Sequence, residues 1–151
     1  MKPLQTAWHL VKRLVGSVSA VALQPHETRE VTDVLLPTEN ALFEQFGSAD
    51  QRHALHVLRR FDAFMPHAPV SARRAALLHD IGKTASSLGT AGRVVATLVG
   101  PRTAAFRTYH EHESLGLEML QRAGSDEATV ALLRGDGPLE LVAALHRADA
   151  V

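Results

Sequence analysis

Cysteine is absent from this chain, and no apolar run in it is long enough to span a membrane. The first absence excludes disulfides and thiolate metal sites, so that any metal must bind to nitrogen and oxygen atoms. It is compatible with a reducing compartment, and we predict a cytoplasmic protein. The formal net charge is zero, which argues against a protein built for stable nucleic-acid binding.

Strand patterns are missing as well, since no window alternates between apolar and polar residues. The 151 residues are enough for one domain with a core, and 46% of them are apolar. The chain contains neither an internal repeat nor a low-complexity segment. The sequence therefore predicts a single compact all-α domain, a helical bundle.

Helix boundaries follow from glycine, proline and capping residues. The predicted helices cover residues 4–22, 38–46, 49–64, 71–80, 89–99, 102–123 (one helix or two), 126–134 and a last helix from 138 onward. A stretch at 26–36 could be helix or loop. The side chains expected to face the core are Ala41, Leu42 and Phe46 in the second helix and Leu55, Leu58 and Phe61 in the third.

The first segment has two interpretations. Lys12 and Arg13 precede an apolar stretch that ends in a small-x-small pattern, as secretory signal peptides do. Apolar residues nevertheless recur at helical spacing, with polar residues off that stripe. We interpret residues 1–47 as an N-terminal helical extension, whose apolar stripe could pack on a second copy of the chain, and residues 48–151 as the main domain.

A histidine and an aspartate stand side by side at the end of an apolar helical run, "AALLHDIGKT". Neighbours on a helix point about 100° apart, so His79 and Asp80 can reach one ion that lies over the edge between them. His53 on the preceding helix and Asp149 at the end of the last helix are candidate partners. Two imidazoles and two carboxylates suit a divalent transition ion such as Mn, Fe, Co, Ni or Zn. Each residue could instead be structural or solvated, as a lone histidine on a helix usually is.

The ordered series His53, His79-Asp80 and Asp149 resembles the HD-domain superfamily of metal-dependent phosphohydrolases. "RHALHV" resembles the family's first-histidine helix, "LLHDIGK" its central signature and "LHRADAV" its closing helix. The resemblance covers roughly the last two-thirds of the chain. It implies an HD-type helical bundle in which His53, rather than His56, joins the other three residues as a metal ligand.

The resemblance also implies hydrolysis of a phosphate ester or phosphoanhydride by metal-activated water, and we expect a small phosphorylated substrate, a nucleotide in particular. "YHEHESLGLEM" is similar to a third-histidine segment of many members: His112, Glu113 and Gly116 fit the pattern, and His110 is offset by two. Members that bind a second ion carry a further histidine downstream. This chain lacks it, so one ion is expected, with Asp136 as an alternative ligand.

The same resemblance assigns roles near the substrate. The expected catalytic residues are Asp80, Lys83 and His112, and the expected substrate-binding residues are Lys83, His110 and His112. Arg52 is expected to bind substrate for a different reason, since an arginine could line a phosphate cleft, although arginine faces are common. Lys83 could instead face the dipole at the helix end. Arg52 belongs to a basic middle segment that could attract an anion. His146, one helical turn before Asp149, could be an alternative ligand or support one.

A second interpretation is a non-catalytic HD-fold module that binds a metal or a nucleotide for regulation or contacts another protein. The missing downstream histidine favours it mildly. Lys83 stands where nucleotidase members carry a carboxylate, and the "GYP" segment of cyclic-di-GMP phosphodiesterases is missing, so the substrate stays unnamed.

Overall fold

The computed structural model describes residues 21–85 and 112–151. Within those ranges the chain forms seven α-helices and one 3-10 helix, and no strand. The α-helices are α1 (Pro25–Thr32), α2 (Pro37–Phe43), α3 (Ser48–Phe64), α4 (Val70–Leu78), α5 (His112–Arg122), α6 (Glu127–Arg134) and α7 (Leu139–Asp149). The 3-10 helix is Ile81–Ala85. The all-α prediction is confirmed.

Proline and glutamate together fix the starts of the first two helices. Pro25 and Pro37 are their first residues, where the missing N–H of proline has no helical partner to lose. The backbone N–H of the residue before each proline donates to Glu27 and Glu39, respectively, at 2.9 Å. The stretch at 26–36 is therefore helical in its first part, and the second helix begins one residue earlier than predicted.

The second helix is also shorter than predicted, and one of its three predicted core side chains is exposed. Phe43 ends the helix, and its ring meets the Phe46 ring edge-on, with the centroids 5.6 Å apart. Both rings are buried, whereas Ala41 is exposed and Leu42 is half-buried. The prediction that Ala41 faces the core is wrong, because the buried face of α2 carries Glu39 and Phe43, which are four residues apart, and Ala41 is two residues from each.

The core is centred on α3 and α4. Leu55, Leu58 and Phe61 of α3 are fully buried, as predicted, and so are the four residues 75–78 of α4. α7 packs against α3, and α6 packs against α4. Side chains of α1 and α2 belong to the same core. The predicted domain boundary after residue 47 stays a prediction.

The helices α3, α4, α6 and α7 begin within a residue of the predicted positions. The predicted helix at 89–99 lies outside the described residues, as does the part of the next one before α5. Residues 1–20 also lie outside, and Val21 and Ala22, which the first predicted helix includes, are not helical. Among the helices that the structure describes, none combines the length and apolar character that crossing a bilayer requires.

A close contact fixes the turn after α4. Gly116 on α5 packs on the 3-10 helix so closely that a Cβ atom at this position would meet the backbone nitrogen of Gly82 at 3.0 Å. A real Cβ atom tolerates such a distance only if the neighbour moves. The missing side chain of Gly116 therefore lets α5 lie directly on the turn that begins one residue after Asp80.

Candidate metal centre

Four polar side chains from three helices meet at one edge of the core. His53 projects from α3, His79 and Asp80 follow α4 directly, and Asp149 is the last residue of α7. Burial of residues 75–78 brings the end of α4 against the core, so that the next two side chains are only 10% and 15% exposed.

These side chains lie close enough together to contact one metal ion. The Nε2 atoms of His53 and His79 lie 3.0 and 3.2 Å from the same oxygen, Asp149 Oδ1. Asp80 Oδ2 lies 3.4 Å from His79 Nε2. One ligand atom from each of His53, His79 and Asp80 lies within 4.8 Å of the others. Ligands bonded at 2.0–2.2 Å to one ion stand roughly 3–4 Å from each other, so a single ion can bridge these atoms.

The buried imidazole of His79 is oriented by its own helix. Its Nδ1 atom lies 2.9 Å from the carbonyl oxygen of Ala76. A carbonyl only accepts, so Nδ1 carries the proton that it donates, and Nε2 points at the space shared with the two carboxylates. His79 Nε2 is buried and makes no hydrogen bond within the described part of the chain, although carboxylate oxygens of Asp149 and Asp80 lie 3.2 and 3.4 Å from it. A buried ring nitrogen without a hydrogen bond fits a metal ligand once an ion has displaced its proton.

An unbonded buried atom is not sufficient by itself. Glu39 Oε1 is also buried without a hydrogen-bond partner among the described residues. Its carboxylate lies 3.6 Å from Arg74, a cation that cannot bind a metal. At His79 the neighbours are a second imidazole and two carboxylates, which are metal-binding groups.

The electrostatics of the centre favour a positive charge. Burial alone would lower the pKa of His79, but the carboxylates of Asp149 and Asp80 outweigh burial and raise it to about 10. Burial would raise the pKa of Asp80, yet the charges of His79 and Lys83 lower it. The imidazoles of His53 and His79 lower the pKa of Asp149. The two carboxylates therefore stay ionised and stabilise a cation between the imidazoles.

Lys83 lies one turn of 3-10 helix beyond the pair. Its Nζ atom is 2.5 Å from Asp80 Oδ2, and its backbone N–H donates to the Asp80 carbonyl at 2.9 Å. The ammonium group thus sits beside a candidate metal ligand and is only 14% exposed. This position supports either a contact with a bound anion or partial neutralisation of Asp80.

Arg52 is placed differently from its predicted substrate role. Its guanidinium binds both carboxylate oxygens of Glu27 and the carbonyl oxygens of Val21 and Ala22, at 3.1–3.2 Å. Four of its five N–H donors are engaged in these contacts. Arg52 therefore ties the segment before α1 to α3, and its role in substrate binding stays a prediction that these contacts do not favour.

Four other histidines were weighed for the site, and they divide into three groups. His110 lies outside the described residues, and so does the side chain of His112, whose backbone begins α5. His56 is exposed and belongs to no candidate metal cluster of the described residues. His146 is exposed on α7 one turn before Asp149 and lines the cleft beside the metal centre.

A cleft of about 370 Å³ opens beside the centre, between α5, α6 and α7. His79, Asp80 and Asp149 stand in its wall, and leucines make up most of the apolar lining. These leucines are Leu78, Leu117, Leu120, Leu132, Leu133 and Leu145. Glu113 and Arg134 also line the cleft, although the sequence assigned them no role. The only sequence signal for Glu113 was its place beside His112 in the third-histidine pattern.

Asp136 is exposed and accepts a hydrogen bond from Arg134 at 2.7 Å, in the loop after α6. It does not line the cleft among the residues that the structure describes there. Asp136 as a metal ligand therefore has no geometric support.

A family model of the HD domain matches residues 51–150, about two-thirds of the chain. The matched segment contains His53, His79, Asp80 and Asp149. No curated protein and no solved structure matched the chain.

Proposed function

This chain belongs to the HD-domain family, and we propose that it is a metal-dependent phosphohydrolase with a single divalent transition ion. Its substrate would be a small phosphate ester or phosphoanhydride, a nucleotide in particular. The observation that carries this proposal is the buried Nε2 atom of His79, which has no hydrogen bond within the described residues and faces two carboxylates and a second imidazole.

In this proposal His53, His79, Asp80 and Asp149 hold the ion. When bound, such an ion activates a water molecule for attack and neutralises charge on the phosphoryl oxygens. Ala76 keeps the proton of His79 on Nδ1, so that Nε2 is available as a ligand. We expect the ion to be Mn, Fe, Co, Ni or Zn, because a set of imidazole and carboxylate ligands suits these ions.

The other proposed roles belong to residues around the cleft. The ammonium group of Lys83 lies close enough to Asp80 to contact a phosphoryl oxygen held at the centre. His112 starts the helix that forms one wall of the cleft, and we propose it and His110 for substrate contact or proton transfer. The apolar lining next to the centre supports an organic phosphate over inorganic polyphosphate, and Glu113 and Arg134 offer polar contacts to a nucleobase.

A second candidate function is metal or nucleotide binding without turnover. The observation that favours it is the contact between Lys83 and Asp80, which already neutralises part of one ligand. Both candidates predict a bound ion, and only the first predicts hydrolysis. Self-association through the N-terminal extension and a cytoplasmic location stay predictions.

Elemental analysis of the purified protein, combined with a screen of nucleotides and simple phosphate esters, tests the proposal. We expect about one transition ion per chain, hydrolysis of at least one ester, and loss of both in Asp80→Ala. Asp33→Ala, which removes an exposed carboxylate after α1, is the matched control and should retain both. Two ions per chain would contradict the single-ion centre, an ion without turnover would favour the binding module, and no ion after reconstitution would reject both.

A further inference from the structure

The last turn of α7 carries Asp149, and a helix end has few internal bonds to hold it. The final carbonyl groups of an α-helix lack intrahelical partners, and helix ends fray. After Asp149 the only backbone closure within the described chain is the hydrogen bond from the Ala150 N–H to the His146 carbonyl, at 3.1 Å. The Asp149 side chain is 45% exposed, the most of the four candidate ligands. Its position therefore depends on what fixes this turn.

Arg60 supplies a contact at this turn. Its Nε–H donates to the carbonyl oxygen of Ala148 at 2.6 Å, between residues 88 positions apart in the chain. Ala148 is fully buried and directly precedes Asp149. The bond thus satisfies a carbonyl in the last turn of α7 and joins that turn to α3.

The same helix provides both the contact and a candidate ligand. His53 precedes Arg60 by seven residues, which is two helical turns, so the two side chains lie on the same face of α3. His53 contacts the Asp149 carboxylate, and Arg60 contacts the backbone next to it. α3 therefore sets the position of Asp149 from two points.

The chemistry of the arginine suits this position. A guanidinium at the C-terminal end of a helix interacts favourably with the helix dipole. Arg60 is half-buried, and its Nη2 atom is buried without a hydrogen-bond partner within the described residues. Burial of a charged donor without a partner costs free energy, and an apolar residue would not carry that cost.

We propose that Arg60 is a positioning residue of the metal centre, which fixes the last turn of α7 through the Ala148 carbonyl so that Asp149 can bind the ion together with His53 and His79. Arg60 does not touch the ion. The inference rests on the metal centre of the proposed function, but not on hydrolysis.

The test compares two neighbouring arginines. Arg60→Met keeps an unbranched apolar side chain and removes the donors. Arg59→Met removes the same charge from the adjacent position, where the guanidinium binds Glu30 on α1. We expect the dissociation constant for Co²⁺ or Mn²⁺, measured by competition with a chelator, to rise about tenfold or more in Arg60→Met and to stay at the wild-type value in Arg59→Met. Equal constants in the two variants would overturn the proposal.

A double-mutant cycle separates positioning from general stability. Asp149→Ala removes the ligand itself and leaves His53, His79 and Asp80, so binding stays measurable at higher metal concentration. We expect Arg60→Met to weaken binding strongly in the wild-type background and hardly at all in Asp149→Ala. The same loss in both backgrounds would mean that Arg60 acts on the whole fold, and it would overturn the proposal.

A conservative variant and a metal-free measurement complete the test. Arg60→Lys retains a donor for the Ala148 carbonyl and should recover part of the affinity. In metal-free protein the Ala150 amide should exchange its hydrogen faster in Arg60→Met than in Arg59→Met, because the last turn of α7 opens. Unchanged exchange would contradict the mechanism. If the affinity effects are found while no phosphate ester is hydrolysed, the proposed function fails and the role of Arg60 stands.

Discussion

Carboxylates contact nitrogen-containing side chains in two regions of this protein, and the hydrogen bonding differs between the two regions. At the face between α1 and α3, Glu27 is buried and accepts hydrogen bonds from the Gln24 backbone and from Arg52, with Arg59 3.6 Å away. At the candidate metal centre, the Asp149 carboxylate faces two imidazoles, and a buried nitrogen of His79 makes no hydrogen bond within the described chain.

The difference lies in the nitrogen partner. Arginine only donates and keeps its charge, so the pairing of Glu27 with Arg52 is complete. An imidazole can lose its proton and then offer a lone pair, so the group of Asp149, His53 and His79 can exchange a proton for a metal cation. The ion pair of Glu27 and Arg52 joins two helices, whereas the group around Asp149 is the one for which we propose a metal ion.

The largest expected effect is loss of the buried imidazole. His79→Ala should remove stoichiometric metal binding, since loss of a direct ligand costs more than the roughly 10–100-fold that loss of an outer partner costs. Metal content after dialysis measures it. His56→Ala, which removes an exposed histidine from α3, should bind metal as the wild type does; equal losses would place the ion elsewhere.

Metal affinity should also depend steeply on pH. The pKa of His79 is raised to about 10 without metal, so at neutral pH an ion must displace its proton. Affinity should therefore rise about tenfold per pH unit up to that pKa, and binding should release about one proton. Calorimetry in buffers of different ionisation enthalpy counts the protons, and an affinity independent of pH would show that His79 is not a ligand.

A substitution at the contact between α5 and the 3-10 helix should have the next largest effect. Gly116→Ala places a Cβ atom 3.0 Å from the Gly82 nitrogen, and such overpacking typically costs about 1–3 kcal/mol. Because the displaced turn follows Asp80, metal affinity should fall too. Denaturant unfolding and chelator competition measure the two effects. Gly47→Ala, where nothing lies within 4 Å of the new atom, should lower the free energy of unfolding less, since it changes only the N-cap residue of α3, and should leave metal affinity unchanged.

At the face between α1 and α3 the expected effect is on stability alone. Arg52→Met leaves the Glu27 carboxylate without its main partner, and we expect the free energy of unfolding to fall by about 1–3 kcal/mol. The metal dissociation constant should stay unchanged. A raised KM for a phosphorylated substrate, with no loss of stability, would instead restore the predicted role of Arg52 in substrate binding.

The smallest expected effect is the acid dependence of Glu27. The hydrogen bond from the Gln24 backbone, followed by that from Arg52, lowers the pKa of Glu27 to about 2 from 4.5. A carboxyl with a lowered folded-state pKa stabilises the protein above the unfolded value and loses that contribution as pH falls. Between pH 4.5 and 2, Glu27→Gln should therefore lose less stability than the wild type does. Parallel stability curves would contradict the ion pair.

The sequence was sufficient for the fold class and most helix boundaries, because glycine, proline and apolar spacing act within one or two helical turns. It was insufficient at Ala41, which was expected in the core and is exposed, and at the end of α2, which stops at Phe43 although Phe46 is buried as predicted. The candidate ligands were found from an ordered pattern of residues, and the structure brings all four together. The predicted role of Arg52 shows the limit: a basic residue next to a candidate ligand was expected to face the substrate, but its partner Glu27 lies on another helix.

The sequence by itself determined which residues could bind a metal, since imidazole and carboxylate chemistry belongs to the residue types and their order belongs to the chain. Tertiary structure decided which nitrogen is available, because the Ala76 carbonyl fixes the His79 proton and burial removes the water that would otherwise bind Nε2. It also decided that Arg52 is held by Glu27 while Arg60 reaches the turn that carries Asp149. Such contacts join residues far apart in the chain, and only the packing of α1, α3 and α7 creates them.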